Sequence, residues 1–243
     1  MTRALAWLAG LVVLAAVCAA FAPAALVGAL VAEATRGELR LANARGTAWN
    51  GAADVVAADG RWTVPATWRL DALPLLRGEA RVALRPPEGA AGARADVVAR
   101  GGRIEAHDVA VDIPAASLRM PPGVLAGGEV RLRADSLVHA PERNEGSVRV
   151  EWTRARLALP AVGSFDLGTV SATLAGDGAT WRGPVQARGG VLVVDGEARI
   201  DRAGSDLRLA VVPQPDAPPL LRAALGVPDA QGVVRLDLRG RFR

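Results

Sequence analysis

Beyond residue 33, apolar and polar residues alternate, and this period of two constrains the chain more than any other feature. Val82 and Leu84 alternate with Arg81, Ala83 and Arg85. Val130, Leu132 and Ala134 alternate with Arg131, Arg133 and Asp135. The same holds for Val148, Val150 and Trp152, for Val170, Ala172 and Leu174, and for Val234, Leu236 and Leu238. Successive side chains of a strand point to opposite faces, so each run has one apolar and one wet face. Antiparallel sheets tolerate that arrangement, whereas parallel sheets are covered on both sides. The expected body is mainly β and antiparallel. A closed sandwich and a half-open curved sheet fit the alternation equally well, because both need one apolar face.

Turn signals divide the runs. Asp59-Gly60 precedes Arg61-Trp62-Thr63-Val64, Gly176-Asp177-Gly178 follows the 170–174 run, and Asp195-Gly196 is read as a turn between 191–194 and 197–200. Asp-Gly suits two-residue hairpins because both residues accept positive φ. Pro86-Pro87, Pro121-Pro122 and the 213–219 stretch mark loops. Gly78-Glu79-Ala80-Arg81, Gly128-Glu129-Val130-Arg131 and Gly196-Glu197-Ala198-Arg199 are read as one way of opening a strand, with Gly232-Val233-Val234-Arg235 a looser copy. Helix is scarce. Pro218 to Leu225 is the best candidate, with Asp216 as a cap near its start and Gly226 as its stop. A shorter turn covers Pro114 to Leu118. Within 103–113 the apolar parity shifts between Ala106 and Val109, which predicts a bulge near His107-Asp108.

The N-terminus is different. No charge occurs from Ala4 to Ala32. As a helix that run is about 43 Å long, against a hydrocarbon core of about 30 Å. Pro23 divides it, and Ala4 to Ala22 alone would span about 28 Å. Ala22-Pro23-Ala24 also fits the small-x-small pattern of a cleaved signal peptide. The apolar run is longer than a signal-peptide core and continues past that site, which favours a permanent anchor. The expected division is therefore 1–32, a single transmembrane helix with a short cytoplasmic head, and 33–243, a β domain outside the cytoplasm.

Composition closes off several functions. The chain has 243 residues, 51% hydrophobic and only 4% aromatic, with no Tyr and no Lys. With no Lys, every side chain that is fully cationic at pH 7 is Arg, yet the formal net charge is only +4. Arg is interspersed with acids instead of forming a basic stripe, which argues against a nucleic-acid partner. The one cysteine, Cys18, lies in the apolar run, so no disulfide or Cys-based metal site is expected. Val17 before it does not suit a lipoprotein signal. His107 and Asp108, adjacent on a strand, would face opposite ways. His139 is read as lying in a polar loop stretch. No nucleophile elbow, phosphate-binding glycine loop or paired carboxylates appear, so no catalytic residue, cofactor or metal is expected. Arg239, Arg241 and Arg243 alternate with Gly240 and Phe242, as on a solvated strand face.

What remains is Gly46-Thr47-Ala48-Trp49-Asn50-Gly51. Trp49 on a Gly-flanked turn suits either a large core side chain or a contact with membrane or partner. This hexapeptide follows an apolar segment ending near Pro23-Ala24. It precedes Trp68, Leu75-Leu76 and Gly78, and later Leu220-Leu221, Leu225-Gly226, Gly232 and Gly240. In that arrangement the chain resembles the type II secretion system protein N family of Gram-negative bacteria. The resemblance implies a single-pass inner-membrane protein with its body in the periplasm, meeting other secretion-platform proteins and holding inner-membrane lipids by its N-terminal helix. It implies no enzymatic activity and no cofactor. Gly46, Thr47, Trp49, Gly51 and Trp68 are the motif positions and the expected interaction site. The family is also similar to AsmA-like proteins, whose curved sheets form a lipid-holding groove. That is the rival reading, and it implies a lipid ligand.

Overall fold

The computed structural model describes residues 21–34, 37, 39–57, 63–88, 92–117, 120, 123–140, 143–160, 163–201 and 204–241. Expectations placed on residues 1–20, Cys18 among them, and on Asp59-Gly60, Trp62, Leu118, Pro121-Pro122, Phe242 and Arg243 lie outside those residues.

Thirteen strands form one antiparallel sheet. They are β1 (Leu39–Gly46), β2 (Asn50–Ala57), β3 (Thr63–Asp71), β4 (Glu79–Arg85), β5 (Ala93–Arg100) and β6 (Arg103–Pro114). They continue with β7 (Leu125–Ala140), β8 (Arg143–Leu159), β9 (Gly163–Asp177), β10 (Thr180–Gly189), β11 (Leu192–Ile200), β12 (Gly204–Pro213) and β13 (Val234–Arg241). Spatial order equals chain order, from β1 at one edge to β13 at the other, and the edges do not meet. Of the two arrangements the alternation allowed, the sandwich is thereby corrected to a single open sheet. Among the described residues the helices are α1 (Ala24–Ala34), α2 (Ala72–Leu75) and α3 (Pro219–Leu225), with a 3-10 turn at Ala115–Ser117. Among the described residues no helix is long and apolar enough to cross a membrane.

The period of two produces one continuous apolar face. Directly paired residues share a face, and the pairs run Trp68, Leu84, Ala95 across β3 to β5. From Ala93 of β5 they continue through Val111, Leu132, Val150, Ala172, Val185, Gly196, Leu209 and Leu236 of β6 to β13. Two buried clusters sit toward the two edges of this face. One joins Ala24 of α1 to Ala53 and Trp68, with Val27, Leu41 and Leu84 packed around it. The other joins Leu221 of α3 to Phe165, Leu167, Leu192 and Val211, with Trp152 against it. Between them Val97, Val111, Leu132, Val150 and Ala172 stay half-buried.

The opposite face carries the charges, held in cross-strand pairs. Arg85 pairs with Asp96, Arg133 with Asp112 and Arg188 with Asp195. Each Arg also donates to two main-chain carbonyls, as Arg85 does to Leu84 and Ala95. These pairs are largely exposed, and exposed ion pairs contribute about 0–1 kcal/mol each. Their effect is on register, since a one-residue slip would turn every Arg into the apolar face.

Several local expectations hold. The 176–178 signal is the β9–β10 hairpin, and the bulge falls at Asp108, where φ is 48° and the β5–β6 register shifts. α3 and the turn at 115–117 match the expected positions, but the N-cap of α3 is Pro218, with no side-chain cap from Asp216. Asp195-Gly196 is corrected: both lie inside the unbroken strand β11. A Cβ on Gly196 would sit 2.2 Å from the Arg208 carbonyl oxygen, so glycine is there for close approach of strands, not for a turn. Gly128 likewise lies within β7, in a bulge with φ 101°. Only Gly78 and Gly232 of the proposed strand openers precede a strand.

Candidate functional site

The hexapeptide is the β1–β2 turn, and its residue types follow from its hydrogen bonds. Gly46 and Gly51 pair across the hairpin. Gly46 has φ 86°, and a Cβ there would lie 2.5 Å from the Asn50 carbonyl oxygen. The Thr47 amide donates to the Asn50 carbonyl at 2.9 Å, and the Asn50 amide donates back to Thr47 Oγ1 at 3.2 Å. The two bonds close the turn from both sides, which a residue at 47 with no side-chain acceptor could not do.

Two more segments attach to the middle of this turn. The Ala48 amide donates to the Ala22 carbonyl at 2.8 Å, and Pro23 bridges Thr47. The Trp49 carbonyl accepts from the Leu70 amide at 2.7 Å, and the Ala48 carbonyl accepts from Trp68 Nε1 at 3.1 Å. Trp68 is only 6% exposed, and its ring lies over Gly51, where a Cβ would come within 2.3 Å of Cζ2. Gly51 therefore leaves the space that Trp68 fills. Gly46, Thr47, Gly51 and Trp68 are thus gathered at one joint. Trp49 is half-buried beside them and contributes its carbonyl. The joint fastens the segment arriving through Phe21 and Ala22 to the end of the sheet. The sequence showed the motif but not this second partner, because Ala22 was read only as part of an apolar run.

The polar candidates are dispersed. His107 is exposed, 3.9 Å from Glu105 Oε2, while Asp108 lies 3.9 Å from Arg94. His139 is corrected from loop to strand: it lies in β7, with Nδ1 2.7 Å from Asn144 Oδ1. Among the described residues no three His, Cys, Asp or Glu side chains are grouped to hold a metal ion. A recess of about 240 Å³ on the charged face is lined by Arg182, Glu197, Arg199, Asp206 and Arg208. Asp206 Oδ1 is buried there without a hydrogen-bond partner, but the recess holds no histidine, serine, threonine or cysteine. Asp229, before β13, accepts from the Val233 and Gln231 amides, and these bonds hold its carboxyl below its ordinary pKa. That is a loop clasp, not acid–base machinery.

The geometry is that of a sheet fastened at one end, with an apolar face and a paired-charge face. No curated protein and no solved structure is similar enough to count as a match. The model of one family, type II secretion system (T2SS) protein N, matches residues 37–237, from just before β1 into β13. That span takes in the Gly46–Gly51 turn, Trp68 and the meander from β1 into β13, and the chain belongs to the type II secretion system protein N family.

Proposed function

We propose that the chain is a non-enzymatic inner-membrane component of the type II secretion machinery, acting by protein–protein contacts in the periplasm. The family match over residues 37–237 carries this reading. Membership implies a role in type II secretion, contacts with other components of that system, and a Gram-negative cell envelope. The family is a secretion component and not a known enzyme. Residues 1–32 would form the anchor with its short cytoplasmic head, and 33–243 the periplasmic domain. The uncharged run from Ala4 to Ala32 supports that division. Gly46, Thr47, Trp49, Gly51 and Trp68 would then set the attitude of the sheet relative to the membrane, and so which surface the platform proteins meet.

The test is deletion of the gene with an assay for a folded exoprotein. Export falls and the exoprotein accumulates in the periplasm, and crosslinking recovers a platform protein. Unchanged export with no platform partner recovered would refute the reading.

A second reading has one observation in its favour. The apolar face runs unbroken from β3 to β13 in a sheet that does not close, and in its middle Val97, Val111, Leu132, Val150 and Ala172 are only half-buried. Such a face could shelter acyl chains, as in AsmA-like proteins. On this reading the full chain, released from detergent into native mass spectrometry, retains phospholipid. A lipid-free chain that takes up no labelled lipid would remove the idea.

A further inference from the structure

The connection between β3 and β4 places large apolar side chains in solvent where a soluble fold has no use for them. Leu73 is 78% exposed and Leu76 86% exposed, and α2 buries no residue. Arg77 follows them, also exposed. The connection is nonetheless well formed. The Leu76 amide donates to the Leu73 carbonyl, Arg77 to Pro74 and Gly78 to Leu75, at 2.9–3.2 Å. Pro74 has no amide proton to satisfy. A finger in which the amides of Leu76, Arg77 and Gly78 are met by its own carbonyls suits a lipid interface, where unmet groups are costly.

Its position decides what covers it. The Trp49 carbonyl holds the Leu70 amide, next to this finger, while the adjacent Ala48 amide holds the Ala22 carbonyl. The finger and the segment before α1 therefore flank one turn, at the same end of the sheet. Phe21, on that segment, is 75% exposed. The uncharged run that begins at Ala4 leads into this point. Exposed Arg69 and Arg77 lie here too, and Arg100 and Arg103 close the next hairpin at this end. Leucines backed by arginines match an interface with acyl chains below and phosphates above.

We propose that Ala72–Gly78 is a second membrane contact, in which Leu73 and Leu76 enter the bilayer interface beside the N-terminal segment while Arg77 meets lipid phosphate. The inference rests on the reading of that segment as a membrane anchor. With two points of attachment the sheet cannot swivel about its tether.

The test uses the full-length chain with its sole cysteine removed (Cys18→Ala). A single cysteine is introduced as Leu73→Cys, Leu76→Cys or Val227→Cys and labelled with a polarity-sensitive fluorophore. Val227 is 93% exposed and lies between α3 and β13, at the opposite end of the sheet. Each protein is reconstituted into vesicles of phosphatidylethanolamine and phosphatidylglycerol carrying nitroxide lipid. The labels at 73 and 76 shift to the blue and lose about half their emission or more to the nitroxide, while the label at 227 does not change. Labels at 73 and 76 that behave like 227, on protein that floats with the vesicles, overturn the second contact and leave the anchor standing. Labels shielded from aqueous quencher yet untouched by nitroxide lipid show a protein partner there, which also overturns it. Protein that does not float with vesicles sinks the anchor and this contact together.

Discussion

Trp68→Ala destabilises the chain by about 3–5 kcal/mol, the usual cost of removing a large aromatic from a packed site. Three contacts are lost together. The ring leaves Gly51 uncovered, the cluster of Ala24, Ala53 and Val27 loses its largest member, and the Ala48 carbonyl loses the Nε1 donor. The midpoint of urea unfolding followed by far-ultraviolet circular dichroism measures the effect. Trp68→Phe separates the causes. It keeps most of the ring packing and removes the hydrogen bond, so its cost is nearer 0.5–1.5 kcal/mol. A Trp68→Ala protein as stable as the parent would mean that the joint does not hold the sheet end. Because Ala22 is fastened to the same turn, the larger loss also loosens α1, read as faster amide exchange at Ala48 and Leu70.

Gly168→Ala is expected to cost roughly 3 kcal/mol or more, large for adding one methyl group. Gly168 has φ 71° in the β8–β9 bulge, where Ala155 pairs with it and Arg156 pairs with Asp166. A Cβ would sit 2.2 Å from the Arg188 carbonyl oxygen and 2.5 Å from the Gly189 carbonyl carbon, both main-chain atoms of the next strand. Neither can move without opening the β9–β10 ladder. Gly163→Ala is the internal control. Its φ is 92°, but nothing lies within 4 Å of the added methyl. That substitution carries only the backbone preference, about 1 kcal/mol. Equal midpoints for the two variants would show that close approach of strands contributes nothing at 168.

Strand faces were legible because each is written in a few neighbouring residues. Val82 and Leu84, or Val148 and Val150, need no knowledge of partners to declare a buried side, and the parity change between Ala106 and Val109 marked the bulge at Asp108. Glycines were less legible, because one residue type serves two physical needs. Gly178 supplies a turn with φ 61°, whereas Gly196 makes room for Arg208 on the next strand, and the local sequence is Asp-Gly or Gly-rich in both. Closure was not legible at all. Whether β1 meets β13 depends on twist summed over the sheet, which no single strand reports. At the candidate site, Gly46 and Gly51 were visible as a pair around a turn. Their reasons were not, because Trp68 lies twenty residues from Ala48 and Ala22 sits on the other side of the turn. Leu73 passed unnoticed and Leu76 was read only as part of the Leu75-Leu76 pair, since an exposed loop leucine and a buried helix leucine read alike in sequence.

The strict neighbour-to-neighbour order of the strands has a consequence for how the molecule is made. No strand waits for a distant partner, so the sheet can assemble hairpin by hairpin as synthesis proceeds, with low loop-closure entropy at each step. The first hairpin to appear is the one that grips Ala22, and the joint is complete once β3 brings Trp68 and Leu70 to it, before the strands from β4 onward exist. Each later strand then finds a finished edge waiting for it. The unpaired row presented to other chains is handed outward from strand to strand, until β13 keeps it.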